Sequence, residues 1–357
     1  MPKISLLNKI LISLFLITVV LWQCARDHEP AKNNLTPYPF LVPKGFPSPY
    51  LSANNPMTVE GVLLGRKLFY DNILSSNGRS CNSCHLQENS FMVKNSDNYL
   101  DPNIYLNIPP LINLAWNPDF GWYGVEPDLD HIAVGDFGPL FFNSDMKKVI
   151  SNVKSNSEYA QLYQKVFPDE EVFTENYFAD KTAQAIAQFL RSIVSASSRY
   201  DKFMMGKAVF SQEEQYGFEL FNSEKGDCFH CHSAPLFTDN LYHNIGVDSV
   251  FNVAFNSGRY LITSNPIDFG KFSTPTLRNI ALTGPYMHDG RFATLDEAIE
   301  HYNSKVHSTS SLDPIMTKNN KSTKLNLTAF DKLCIKKFLE TLTDSLLLSN
   351  PNYGKPK

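Results

Sequence analysis

Cys81-Asn82-Ser83-Cys84-His85 and Cys228-Phe229-His230-Cys231-His232 are the two stretches that decide how this chain is read. Each has the form C-x-x-C-H. Two thiols one helical turn apart can form thioethers with the two vinyl groups of a haem, and a His directly after them reaches the iron from the same side. A zinc site or a redox-active C-x-x-C pair is the alternative, and the adjoining His in both stretches argues against it. Two covalently bound haem c groups are therefore expected, held by Cys81, Cys84 and His85 and by Cys228, Cys231 and His232. Of the other thiols, Cys334 falls in an apolar helical stretch and reads as core, so no disulfide framework remains to be assigned.

Outward from these stretches the chain repeats itself imperfectly. Gly65-Arg66-Lys67-Leu68-Phe69 precedes the first and Gly217-Phe218-Glu219-Leu220-Phe221 the second. Ser211 with Glu214 and Thr294 with Glu297 have the spacing of capping boxes that start helices. Ala183, Ile186, Ala187, Leu190, Ile193 and Val194 recur at helical spacing, as do Ile335, Phe338, Leu339 and Leu342, and both stripes read as packing faces. No period-two pattern is long enough for a major sheet, although short ribbons fit around Tyr242 to Val253. The fold class expected is mainly α, with two cytochrome c-like domains at 57–205 and 206–346, each carrying one haem, and a tail at 347–357.

Length and composition agree. The 357 residues suffice for two domains, and 43% apolar with 19% charged residues builds cores rather than disorder. Lys plus Arg number 32 against 36 Asp plus Glu, with no clustered basic run, so no nucleic-acid footprint is present. Residues 1–23 read as an export signal, with Lys3 and Lys9 ahead of the mostly apolar Ile10 to Trp22. Cys24 follows at once, as at a lipoprotein cleavage site, although Gln23 departs from the small residue usual there. The expected location is the periplasm, with the membrane reached only through a lipid anchor. Pro30, Pro37, Pro39, Pro43, Pro47, Pro49 and Pro56 make 24–56 read as a stiff, extended tether.

From about Met57 to Leu346 the chain resembles the bacterial di-haem cytochrome c peroxidases and their MauG-type relatives. The likeness rests on the paired haem stretches, on Leu64 to Asp71, on Asn107 to Asn117, and above all on Thr274-Pro275-Thr276-Leu277-Arg278-Asn279-Ile280-Ala281-Leu282-Thr283-Gly284-Pro285-Tyr286-Met287-His288-Asp289-Gly290-Arg291. The resemblance implies an N-terminal haem that reacts with hydrogen peroxide and a C-terminal haem that relays electrons. It further implies a calcium ion between the domains, bound through Asn107, Thr283 and Pro285, and a Trp between the haems, matched by Trp122. Tyr302 falls where these proteins carry the second haem's sixth ligand, with His301 and Met287 as alternatives. From Leu86 to Pro118 there is no His, so the first iron is expected to be five-coordinate and high-spin; His131 and Met92 are the rival distal ligands.

The proton-handling residues depart from the family's pattern. Asp145, after Gly138-Pro139, stands for the family's Glu, Ile132 for its Gln and Val125 for an Arg. His131 is a further candidate for moving protons, while His243 and His288 read as structural. The function expected is a di-haem c-type peroxidase fed by a small electron-donor protein, a cytochrome c or a cupredoxin. The alternatives are a MauG-type oxidase acting on Trp or Tyr of a partner protein, and a non-catalytic di-haem electron carrier. Family members are often homodimers, which extends to this chain by analogy only.

Overall fold

Two helix crossings organise the chain, and each is made by a glycine of the repeat. The computed structural model describes residues 34–93, 106–251, 256–317 and 322–356; the expected signal, Cys24 and the beginning of the tether lie outside them. The main helices among these residues are α1 (Val59–Tyr70), α2 (Met146–Ser155), α3 (Ser157–Val166), α4 (Glu175–Ser192), α5 (Arg199–Met204), α6 (Gln212–Phe221), α7 (Leu295–Ser304) and α8 (Ala329–Glu340). A Cβ on Gly65 of α1 would stand 1.9 Å from the Ala185 carbonyl oxygen of α4, and one on Gly217 of α6 would stand 1.9 Å from that of Cys334 in α8. The helices thus touch backbone to backbone, an approach that any side chain would block.

Both expected capping boxes form: Ser211 and Glu214 cap α6, and Thr294 and Glu297 cap α7. The expected stripes lie on α4 and α8 and are buried apart from the half-buried Val194, with Ile193, Val194 and Leu342 just beyond the helix ends. One hydrophobic core gathers Leu64, Leu68, Phe69, Phe91, Ile186, Phe189 and Leu190 around the first crossing. Another gathers Tyr200, Phe221, Phe237, Ile335, Phe338 and Leu339 around the second, where the rings meet largely edge to face. The molecule is mainly helical, as expected. Its sheet among the described residues is one antiparallel ribbon, β1 (Tyr242–His243) with β2 (Phe272–Ser273), pairing Tyr242 with Ser273.

Both flanking segments are more integrated than the sequence suggests. From Thr36 the proline-rich stretch is laid on the fold instead of standing free. The Thr36 amide donates to Glu60 at 2.9 Å, Phe40 and Phe46 pack on Trp116, and the Trp116 indole donates to the Pro47 carbonyl at 2.8 Å. Asn55, buried, donates to Asp130 at 2.6 Å. Prolines favour an extended path, as expected; the aromatic residues spaced between them are what anchor it. The C-terminal tail is likewise a strap. Leu347 is buried in the first core, Gln87 donates to the carbonyls of Leu347 and Asn350 at 2.9 Å, and Tyr70 donates to that of Tyr353 at 2.8 Å.

Candidate haem and peroxide site

Each C-x-x-C-H stretch opens onto a large cavity. The first, about 1780 Å³ out to its mouth, is lined by Cys81, Cys84 and His85 and walled by Phe69, Leu114 and Leu190. The second, about 1490 Å³, is lined by Cys228, Cys231 and His232 and walled by Phe221, Ile299 and Leu339. Backbone turns place the side chains: the His85 amide donates to the Cys81 carbonyl at 2.9 Å and that of His232 to the Cys228 carbonyl at 3.0 Å. Burial pushes the Cys81 and Cys228 thiols up.

The two histidines are held alike. His85 Nδ1 lies 2.8 Å from the Phe91 carbonyl and His232 Nδ1 lies 3.0 Å from that of Phe237. A carbonyl only accepts, so Nδ1 carries the proton and Nε2 keeps its lone pair for a metal. Burial lowers both histidines, His85 to about 4, which keeps them neutral ligands. Phe91 and Phe237 are both buried and both left-handed, with φ of 59° and 56°. Apolar walls, paired thiols and a neutral imidazole with a free Nε2 fit a covalently attached haem in each cavity.

The cavities differ in what else faces them. In the second, Tyr302 lines the cavity half-buried beside the cysteines, and desolvation is the main push upward on its phenol. Met287, Met316 and His288 also line it, and His288 stacks on Phe272 with centroids 3.7 Å apart. His301 is turned away, its Nε2 donating to the Ile245 carbonyl at 3.0 Å. His243 sits at this cavity's edge, between Asp313 at 2.6 Å and Asp239 at 2.9 Å.

Among the described residues that line the first cavity, His85 is the one His and there is no Met. His131 is exposed and 3.5 Å from Asp180, and Met92 is buried elsewhere, so neither rival distal ligand is in the lining. Ile132 and Val125 do line it.

Asp145 requires a correction. It is an exposed N-cap, accepting from the Lys148 amide at 3.2 Å, and it does not line the cavity. An Asp just before a helix satisfies free amides there, and that competes with pointing inward. Two carboxylates, Asp119 and Asp136, do line it, and of these Asp136 is raised to about 7 by burial. Asp136 precedes the Gly138-Pro139 turn, whereas Asp145 follows it.

Trp122 lines both cavities, as do Ser273, Thr274 and Pro275. Its indole donates to the Asn107 carbonyl at 2.6 Å, and its own carbonyl accepts from the Ser273 amide at 2.7 Å. The Asn107 side-chain amide lies 2.6 Å from the Pro285 carbonyl and 3.2 Å from that of Met287, while Thr283 is buried two residues before Pro285. Turning that amide over would add its oxygen to the carbonyls, a neutral oxygen set suited to a hard cation such as calcium.

Comparison with known proteins agrees with this geometry. Residues 59–209 match the family model described as di-haem cytochrome c peroxidase. The cytochrome-c peroxidase IdrP1 of Denitromonas iodatirespirans is 32% identical over 71% of this chain and 74% of its own length. The methylamine utilization protein MauG of Methylorubrum extorquens is 32% identical over 74% of this chain and 73% of its own. Among solved structures, a MauG-like protein associated with microbial copper homeostasis superposes with a TM-score of 0.79 at 32% identity, covering 89% of this chain and 99% of that one.

Proposed function

Because the chain belongs to the di-haem cytochrome c peroxidase family and is an oxidoreductase of that peroxidase class, we propose that it reduces hydrogen peroxide in the first cavity with electrons passed through the second. The overall change is H2O2 plus two electrons and two protons giving two waters. The observation that carries this reading is the asymmetry of the cavities: Tyr302 and methionines face the second, while His85 is without a His or Met opposite it among the first cavity's described lining residues.

A haem bound at Cys81, Cys84 and His85 would supply the iron at which the O–O bond is broken. The chain's part is to hold and to move protons. The Phe91 carbonyl fixes the His85 tautomer, the apolar walls exclude water, and Asp136, poised near neutrality, takes a proton from one peroxide oxygen and returns it to the other. His232 and Tyr302 would hold the second haem, where a phenolate would favour the ferric state relative to Met. Trp122 joins the cavities, and Asn107, Thr283 and Pro285 would hold a calcium ion beside it. Each core would serve one haem, in domains read at 57–205 and 206–346, with Tyr200 packed into the second core and Leu347 into the first. Export to the periplasm and a lipid on Cys24 complete the proposal, with a small cytochrome or cupredoxin as donor.

A second reading, a protein oxidase acting on Trp or Tyr of a partner, is favoured by Tyr302 in the second cavity and by the likeness to MauG. Low-temperature electron paramagnetic resonance on the oxidised protein tests both. A high-spin ferric signal beside one low-spin signal, both collapsing with stoichiometric peroxide, is expected. Two low-spin signals indifferent to peroxide would overturn the peroxidase and leave an electron carrier. Fast turnover with a reduced small cytochrome separates the peroxidase from the protein oxidase.

A further inference from the structure

The loops that fix the two histidines are braced by one run of four residues. At the second loop the Thr276 hydroxyl donates to the Leu236 carbonyl at 2.5 Å, and the Leu277 amide donates to the Phe237 carbonyl, the same oxygen that takes His232 Nδ1, at 3.2 Å. Arg278, fully buried, donates through Nε to the Pro235 carbonyl at 2.8 Å and is locked by both Nη atoms on Asp201.

The next residue reaches the other loop. Asn279, fully buried and left-handed with φ of 60°, donates through Nδ2 to Ser90 Oγ at 2.8 Å, directly before the Phe91 carbonyl that holds His85. Its Oδ1 accepts from the Asp344 amide at 2.6 Å, and the Asp344 carboxylate takes the amides of Ala196 and Ser197. Consecutive residues therefore bond to both loops, and Asn279 is pinned from behind. Its backbone conformation suits Asn, and its two side-chain bonds use both ends of the amide.

We propose that Thr276–Asn279 is a brace coupling the two iron-binding histidines, with Asn279 a positioning residue for His85. The inference rests on the reading of His85 and His232 as haem ligands. Hydrogen-bond partners of a ligating His set its basicity, so a carbonyl held firmly on Nδ1 makes the imidazole a stronger donor and favours ferric iron. Releasing Ser90 slackens the Phe91 carbonyl and shifts the first haem toward the reduced state. This path is separate from Trp122, which touches none of these bonds.

The test uses the full-length haem protein and three variants: Ser90→Ala; Asn279→Gly, which keeps the left-handed backbone; and Thr276→Val. Haem is counted per chain, each haem is titrated redox-potentiometrically, and the iron–histidine stretch is read by resonance Raman. Ser90→Ala and Asn279→Gly should each move the first haem's redox equilibrium roughly three- to tenfold toward reduced, the upper end being about 59 mV for one electron, with a lowered iron–histidine stretch. The pair combined should move the first haem no more than either alone, because both remove the same bond to the Phe91 loop, and the Asp344 bond that Asn279→Gly also loses does not reach that loop. Thr276→Val should move the second haem and, by a smaller factor, the first. Two haems per chain with an unmoved first haem in both Ser90→Ala and Asn279→Gly overturns the proposal, even if melting falls. A Thr276→Val effect confined to the second haem overturns the coupling. Fewer than two covalent haems in the unmutated chain refutes the ligand reading instead.

Discussion

Asp136→Asn separates Asp136 from Asp145 as the proton carrier. The Asp136 carboxyl lies in the wall of the first cavity and is raised to about 7, with burial as the cause. A base with that value is about 1% ionised at pH 5 and half ionised at pH 7, so kcat/KM for peroxide should rise about fiftyfold between them in the unmutated protein. Asn is nearly isosteric but cannot take a proton, so Asp136→Asn should lose on the order of 10²-fold or more at pH 7 and lose the slope as well. The assay is oxidation of a reduced small cytochrome by peroxide, followed from pH 5 to 8 at saturating donor. Asp145→Asn is the control: Asn also caps well, and both activity and slope should stay. An unchanged pH slope in Asp136→Asn, or a slope that vanishes in Asp145→Asn, refutes the assignment.

Three further outcomes follow from the geometry. Gly65→Ala would drive a methyl to within 1.9 Å of the Ala185 carbonyl oxygen, against an ordinary C···O contact of about 3.3 to 3.6 Å, and should cost about 3 kcal/mol or more. Thermal melting and haem counting should show the first site failing in Gly65→Ala and the second in Gly217→Ala, whose methyl meets the Cys334 carbonyl. Tyr302→Phe should change the low-spin haem's paramagnetic spectrum and leave the high-spin one nearly intact; an unaltered low-spin signal removes Tyr302 as a ligand. At Glu60, burial pushes the carboxyl up, but the Thr36 amide and Lys165 outweigh it and hold it at about 2 against 4.5. A depressed acid contributes stability above the unfolded value that is lost as pH falls through the folded one. Melting temperature should therefore drop from pH 4.5 toward 2, and Glu60→Gln should flatten that part of the profile.

What could be read in the sequence was whatever chemistry fixes by spacing. Two thiols and a His must stand at one interval to meet a haem edge and its iron, so Cys81 to His85 and Cys228 to His232 announced their cavities. Gly65 and Gly217 announced the repeat, and the structure supplies its reason in two backbone contacts, with Ala185 and with Cys334. Capping boxes are local hydrogen bonds between residues three apart, and both formed as expected. A carboxylate in a cavity wall is a different kind of object. Its role depends on which of several acids a loop turns inward, and neither Asp136 nor Asp145 carries that in its neighbours. A helix start captured Asp145, while Asp136 and Asp119 lie in the wall.

The prolines before Thr58 misled for a related reason: composition set the extended path but not the partners, which are Trp116, Glu60 and Arg278, scattered over the chain. The left-handed Phe91 and Phe237 were equally hidden, because a bulky aromatic gives no hint of positive φ. Yet those two carbonyls decide which nitrogen of each imidazole is free, and so whether His85 and His232 can hold iron at all. The family-like run from Thr274 to Arg291 was legible as a pattern long before it was legible as mechanics. In the fold, Ser273 to Pro275 border both cavities with Trp122, Thr276 to Asn279 grip both histidine loops, and Pro285 with Met287 meets Asn107. A single segment with all three duties cannot drift in one without disturbing the others, which is a physical reason for so long a run of specified residues far from either C-x-x-C-H.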